Sequence, residues 1–393
     1  MNKLSNIDIP NWDAVYQSLS WWKTEQVSNA KVMVVGAGAI GNEVLKNLAL
    51  LNIGNILIID FDHIEYSNLS RSVLFREEDC KSKNLKVDIA ASRVREINPN
   101  VKVMAINGDV MIDVGLGVFR RMDVIIGCLD NRLARLFLNR SSFKTDKVWI
   151  DGAIENLIGQ VNPYKREVAC YECALREAEW EDIQVRLGCA DVAMRNISSG
   201  RIPTTPISSS IVAAIQVQEA LKIIHGYTKQ SMVGSSFYYE GMNNLILQLD
   251  AEPLKEECDS HDYYEDIIEA PLSNNDTFRD ALAWLGKYFQ DEKVTIGLDH
   301  SIVLKISTQI SNKVFEIFKA KPHISEDFLN QYRSNLEEVY FLEEENYVDI
   351  GFKFIDYRLA DAGIPPLHIL QVYQGGKRHF VELSKDESFI NFQ

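Results

Sequence analysis

The stretch from Lys31 to Asp60, KVMVVGAGAIGNEVLKNLALLNIGNILIID, constrains the fold more than any other part of the chain. An apolar run at Val32–Val35 meets Gly36-x-Gly38-x-x-Gly41. A segment with apolar Val44, Leu45, Leu48 and Leu51 follows, and a second apolar run closes on Asp60. Such a pattern predicts a strand, a glycine turn, a helix and a second strand ending in an acid. The glycines permit a tight turn, and the free N–H groups of the helix N-terminus attract phosphate. The stretch therefore predicts a nucleotide site without saying which nucleotide.

The same rhythm continues along the chain. Strands are expected at 31–36, 55–60, 101–106, 123–128 and 147–151, and helices near 41–52, 82–97 and 131–143. That alternation predicts an α/β fold with a Rossmann-like, doubly wound and largely parallel sheet. The aromatic first thirty residues are expected to be helical. From about 164 the rhythm breaks into Cys170-x-x-Cys173 and an irregular stretch over 176–206. An apolar helix (208–225) and strands at 231–239 and 244–249 come next. Residues 250–276 are acidic and turn-rich, so the domain boundary is expected there. The predicted organisation is an N-terminal extension (1–30), a nucleotide domain (31–262) and a smaller, acidic α+β domain (277–393).

At 393 residues, two domains are the natural expectation. A net charge of −15 argues against nucleic acid or an anionic membrane as the main partner. No apolar run is expected to approach the roughly 18–20 residues that span a bilayer, and the N-terminus lacks the shape of a signal peptide. The six cysteines fit metal or catalytic use in a reducing compartment, which points to the cytoplasm.

The loop after the second strand, Asp60-Phe-Asp62-His-Ile-Glu-Tyr-Ser67-Asn68-Leu-Ser70-Arg71, is richer than a dehydrogenase requires. One acid suffices for a ribose. A second acid, an amide and a guanidinium suit a ribose with a polyphosphate. Lys86 lies near the start of the next helix, and Asp130-Asn131 follows the run Val124–Leu129. An acid at the C-terminal end of a strand lies where open α/β sheets bind ligands. Asp130 is placed to hold Mg²⁺ on a triphosphate, with Arg71 and Lys86 as cations. A nicotinamide-dependent oxidoreductase is disfavoured by these three residues, and a silent scaffold by their occurrence together with Cys189.

GAGAIG, DFDHIEYSNLSR, Lys86 before INP, and CLDN together resemble the ThiF-like adenylating enzymes that activate ubiquitin, ubiquitin-like proteins and bacterial sulfur carriers. The resemblance covers about 31–250. It implies ATP·Mg²⁺ as the nucleotide, with Asp60 on the ribose, Asn68, Arg71 and Lys86 on the phosphates, and Asp130 on the magnesium. It implies attack of a protein's C-terminal glycine carboxylate on the α-phosphate. It also places a reactive cysteine on the crossover segment, where Cys189 stands. Cys170 and Cys173, with Cys258 and His261, would form a Cys₃His zinc site. The turn and two short strands within 359–383 resemble the end of a ubiquitin-fold domain, which implies docking of a conjugating enzyme on 277–393. A homodimer is expected. The sulfur-carrier branch, which stops at the acyl-adenylate, is the alternative. Two departures stand out: Arg71 is the first arginine of the chain, so the family's N-terminal arginine has no counterpart, and Ser72 replaces the frequent glutamine.

Overall fold

The computed structural model describes residues 12–188, 204–310, 313–333 and 337–392. Eight strands form the larger sheet: β1 (Lys31–Val35), β2 (Asn55–Asp60), β3 (Lys102–Asn107), β4 (Val124–Gly127), β5 (Trp149–Glu155), β6 (Ile158–Tyr164), β7 (Ser235–Glu240) and β8 (Leu245–Asp250). Their order is β3-β2-β1-β4-β5-β6-β7-β8. The first five pair in parallel, and β6, β7 and β8 are added antiparallel. The order reverses between β1 and β4, which opens a crevice at the C-terminal ends of the strands.

Both faces of the parallel part are covered, and the sequence shows why. Val32, Val34, Ile56 and Ile58 point into one core, shared with the helices Ala39–Leu50, Lys86–Ile97 and Pro206–Ile224. Met33, Val35, Leu57 and Ile59 point into another, with Phe119, Leu136, Leu138 and Trp149. Alternate residues of one strand thus enter opposite cores, so the strands read as unbroken apolar runs rather than as an alternation.

Two expectations need correction. The helix Pro206–Ile224, with 19 residues, is long and apolar enough to cross a bilayer by length and composition alone. It packs instead on β5, β6 and the helix Ala39–Leu50. Its buried Gln216 donates to the Gly127 and Ile150 carbonyls at 2.8 and 3.0 Å. The N-terminal extension is not a run of helix: its described part has only a 3-10 turn at Tyr16–Ser18 and the short helix Thr24–Asn29. There Trp22 stacks on Tyr16 and packs beside the buried His225.

The second sheet comprises β9 (Ile268–Ala270), β10 (Thr295–Thr308), β11 (Val314–Ala320), β12 (Val339–Val348), β13 (Ile369–Gln374) and β14 (Lys377–Leu383). The order is β11-β10-β13-β14-β9, with β12 also paired to β10. The helix Phe278–Phe289 buries Phe278, Ala281, Leu282 and Leu285 against it. The acidic stretch 250–276 contributes β9, which runs parallel to β14. The two units share a tight contact. Glu382 is fully buried and pairs with Arg120 at 2.6 Å and Arg121 at 2.8 Å. The Gly117 N–H donates to the Leu367 carbonyl at 2.8 Å, and Leu367 enters the core that holds Met33.

Candidate active site

A cavity of about 1610 Å³ lies over the C-terminal ends of the parallel strands. Its floor is the glycine turn. Gly36 has φ +96°, and a Cβ there would lie 2.5 Å from the Cys128 carbonyl oxygen. A Cβ at Gly41 would lie 2.0 Å from the Gly36 oxygen, so the turn closes only without side chains at these two positions. Gly36 and Gly38 line the cavity. Gly41 packs beneath the turn instead, so its role in the site is indirect. Asn42, fully buried, donates to the Ala37 carbonyl at 2.7 Å and the Gly38 carbonyl at 3.0 Å, and accepts from the Leu74 N–H at 2.9 Å. It ties the turn to the segment that carries Arg71.

Asp60 braces the same turn. Its carboxylate accepts from the Ala37 N–H at 2.7 Å and the Asp62 N–H at 2.8 Å. Burial pushes its carboxyl above the ordinary 3.8, with Lys86 and the two amides pulling the other way. From 3.8 upward to the raised value, the folded chain holds a proton that the unfolded chain has released. Stability contributed by Asp60 therefore falls as pH rises through that window. Denaturant titrations across it are expected to show a downward slope that flattens in Asp60→Asn.

The Lys86 ammonium pairs with Asp62 at 2.7 Å, and its side chain is only 11% exposed. Asn68 is buried and accepts from the Glu65 N–H at 2.9 Å, which closes the loop around a 3-10 turn. Arg71 donates to the Ser67 carbonyl at 2.8 Å. On the other wall, Asn131 caps the helix Arg132–Lys144 by accepting from the Ala134 N–H at 2.7 Å, and Asp130 beside it is exposed. Asp60, Asp62, Asn68, Arg71, Lys86, Asp130 and Asn131 all line the one cavity. Cys189 lies outside the described residues.

Sequence reasoning missed two cavity residues. Arg135 donates to the Leu129 carbonyl at 2.7 Å and the Gly152 carbonyl at 3.2 Å, and approaches the Asp151 carboxylate at 3.3 Å. It thereby fixes the backbone just before Asp130. Asp151 is 1% exposed at the floor, and burial raises its carboxyl above the ordinary value against the pull of Arg135. The available signals were weak: an arginine one turn beyond Asn131, and an acid in a strand whose end was placed too early.

Beside the C-terminal end of the helix Arg132–Lys144, Cys170, Cys173, Cys258 and His261 converge, with their ligand atoms all within 4.8 Å of one another. Cys170 Sγ is 3.7 Å from Cys173 Sγ and 3.6 Å from Cys258 Sγ, and Cys173 Sγ is 3.5 Å from His261 Nε2. A tetrahedral zinc with bonds of about 2.3 Å to sulfur sets two sulfurs about 3.8 Å apart. These spacings fit a zinc site. Phe143 stacks on His261, with ring centroids 5.4 Å apart. Arg140 grips Glu172 at 2.9 and 3.0 Å, Ser260 also donates to Glu172, and together they join the two halves of the cluster.

Several known proteins are similar to this chain. SUMO-activating enzyme subunit 2 of Dictyostelium discoideum is 36% identical over 161 residues, 40% of this chain and 24% of the relative. A probable molybdopterin-synthase adenylyltransferase of Porphyra purpurea is 30% identical over 219 residues, 56% of this chain and 54% of the relative. The sulfur carrier protein adenylyltransferase of Thermus thermophilus is 27% identical, over 57% of this chain and 80% of the relative. This chain thus spans about a quarter of the length of the SUMO-activating relatives it matches. The crystal structure of E. coli MccB with ATP shares the fold, with a TM-score of 0.53 at 21% identity, covering 66% of this chain and 76% of that one. The ThiF family model matches residues 14–260, well over half of the sequence, and the chain belongs to the ThiF family.

Proposed function

We propose that this chain is an ATP-dependent adenylating enzyme that activates the C-terminal glycine of a ubiquitin-like protein. The observation that carries the reading is the convergence of Lys86, Arg71 and Asn68 opposite Asp130, over one glycine turn and in one cavity. Two anions, a carboxylate and a triphosphate, repel each other, so their meeting requires fixed cations where charge develops. The cavity also exceeds the about 300–1,000 Å³ of an ordinary small-molecule site, which leaves room for a peptide tail beside the nucleotide.

In this reading Asp60 accepts the ribose hydroxyls, and the free N–H groups after Gly38 and the cations Arg71 and Lys86 hold the phosphates. A carboxylate oxygen of the modifier attacks the α-phosphorus. The bond to the bridging oxygen breaks, and pyrophosphate leaves with the electron pair. Asp130 is the residue that would hold Mg²⁺, which when bound neutralises phosphate charge. Arg135 keeps the Asp130 backbone in place. Cys170, Cys173, Cys258 and His261 would hold a structural zinc.

The Cys189 thiolate then attacks the acyl carbon, releasing AMP and leaving a thioester. Residues 277–393 would dock the conjugating enzyme that receives the modifier, and the active form is a homodimer. The relatives named SUMO-activating enzymes support this branch. The second reading ends at the acyl-adenylate of a sulfur carrier. Its support is the Thermus sulfur carrier adenylyltransferase, most of whose length is matched. Cys189→Ala separates the two. For the thioester branch, the variant is expected to keep partner-dependent ATP–pyrophosphate exchange and to lose a thiol-reducible adduct with the modifier. An exchange-competent wild type with no such adduct would favour the sulfur-carrier branch.

A further inference from the structure

The two units touch backbone to backbone beside the helix Leu116–Arg120. A Cβ at Gly115 would lie 2.3 Å from the Pro366 oxygen, and one at Gly117 would lie 2.4 Å from the Leu367 oxygen. Neither glycine has a left-handed φ, so what they provide is the close approach itself. Leu367 is their counterpart on the second unit. It is fully buried in the core that holds Met33, and its φ of +58° is a left-handed backbone that leucine adopts only where its surroundings impose it. Glu382 on β14 pins the C-terminal end of the same helix through Arg120 and Arg121.

What the second unit grips is the connection from β3 to β4. That connection begins as cavity wall, at Gly108, Asp109, Val110 and Met111. The Asp113 carboxylate accepts from the Asp109 N–H at 2.8 Å, and Asp109 accepts from the Met111 N–H at 2.9 Å. His323 of the second unit faces Asp113 at 3.9 Å. The wall is irregular between β3 and the helix Leu116–Arg120, so its shape depends on what holds its ends.

We propose that the second unit is a clamp on this wall, so that its seating and the binding of ATP are coupled. The inference goes beyond the adenylation reading and rests on it in taking ATP as the ligand. With Leu367 seated, the Gly117 N–H has its acceptor and the helix behind the wall is fixed. With Leu367 withdrawn, that N–H and the Arg120–Arg121 pair lose their partners together, and the left-handed leucine relaxes, which eases release. ATP binds the seated form. A chain seated about one tenth of the time binds ATP about tenfold more weakly, and by the same linkage ATP favours seating. A partner that displaces the second unit would thereby lower ATP affinity without entering the cavity.

Two variants of the full chain test this from either side. Gly117 does not line the cavity, and alanine favours a helix, so the harm of Gly117→Ala falls on Leu367 and Glu382. Leu367→Gly accepts the left-handed φ and deletes the buried side chain. The measurements are ATP affinity with Mg²⁺ by titration calorimetry and amide hydrogen exchange without and with ATP. Each variant is expected to exchange faster at residues 108–113 and at residue 117, with β1 and β2 unchanged, and to bind ATP about tenfold more weakly. In the wild type, ATP is expected to slow exchange at Gly117, which a joint that only holds the units together would not show. ATP affinity within a factor of about two of wild type, in variants whose Gly117 exchange has risen, would overturn the coupling and leave the adenylation reading standing. Unchanged Gly117 exchange in both variants would overturn the clamp, and so would an equal rise in β1 and β2, because the whole domain would then have loosened. A wild type that fails to bind ATP would overturn both proposals.

Discussion

Lys86→Met is expected to lower modifier-dependent ATP–pyrophosphate exchange by about 10²–10³-fold, the usual cost of removing one preorganised charge from a site where charge develops. Lys86 is nearly buried, and Asp62 holds its ammonium at 2.7 Å inside the cavity. In surroundings less polar than water, a fixed cation acts more strongly on a phosphate than a solvated one does. Methionine keeps the length and apolar stem of lysine and removes only the charge. The same change leaves Asp62 without its cation, so an uncompensated carboxylate would face the triphosphate and add to the loss. Steady-state exchange rates with ATP and modifier varied separately are the measurement. A fall in rate at saturation is the expected form, and a variant within a factor of about two of wild type would exclude Lys86 from the charge-stabilising set.

Cys258→Ser is expected to remove zinc and to lower the thermal midpoint by on the order of 10 °C, as loss of about 3 kcal/mol would do in a domain of this size. The cluster joins the helix Tyr171–Ala174, flanked by Cys170, to the turn Asp259–His261, which lies almost ninety residues later in sequence. A metal closing so long a loop contributes binding free energy to the folded state alone. The contacts that remain, Phe143 on His261 and the Arg140–Glu172 pair, hold the ligand atoms near one another without neutralising three thiolates. Metal content by elemental analysis and the midpoint by scanning calorimetry check this together. Unchanged metal content in the variant would reject the zinc assignment whatever the midpoint does.

Much of this architecture was legible because it depends on local patterns. The parallel strands and their helices follow from apolar runs bounded by glycine turns, and each expected strand from 31 to 151 has a counterpart in the larger sheet. The Cys-x-x-Cys and Cys-x-x-His pairs were legible because ligand spacing is short-range chemistry, even though the pairs meet only through the fold. Strand β6 was not legible. Its sequence IGQVNPY alternates buried and half-buried positions, but Gln160, Asn162 and Pro163 hide that alternation behind residues uncommon in strands. Arg135 and Asp151 were missed for a different reason. Their place in the site depends on β4 and β5 lying side by side, which no spacing within one segment records. The helix Pro206–Ile224 was legible as an apolar segment at 208–225, and it packs between the sheet and the helix Ala39–Leu50.

Glycine turn, acidic loop, Lys86 and Asp130 meet in one cavity, and the central claim is that this cavity makes an acyl-adenylate. ATP–pyrophosphate exchange with Mg²⁺ and a ubiquitin-like protein ending in glycine tests it most directly. The expected result is exchange that requires the modifier and disappears when its terminal glycine is deleted. No exchange with any glycine-ending partner, from a chain shown to bind ATP, would contradict the account.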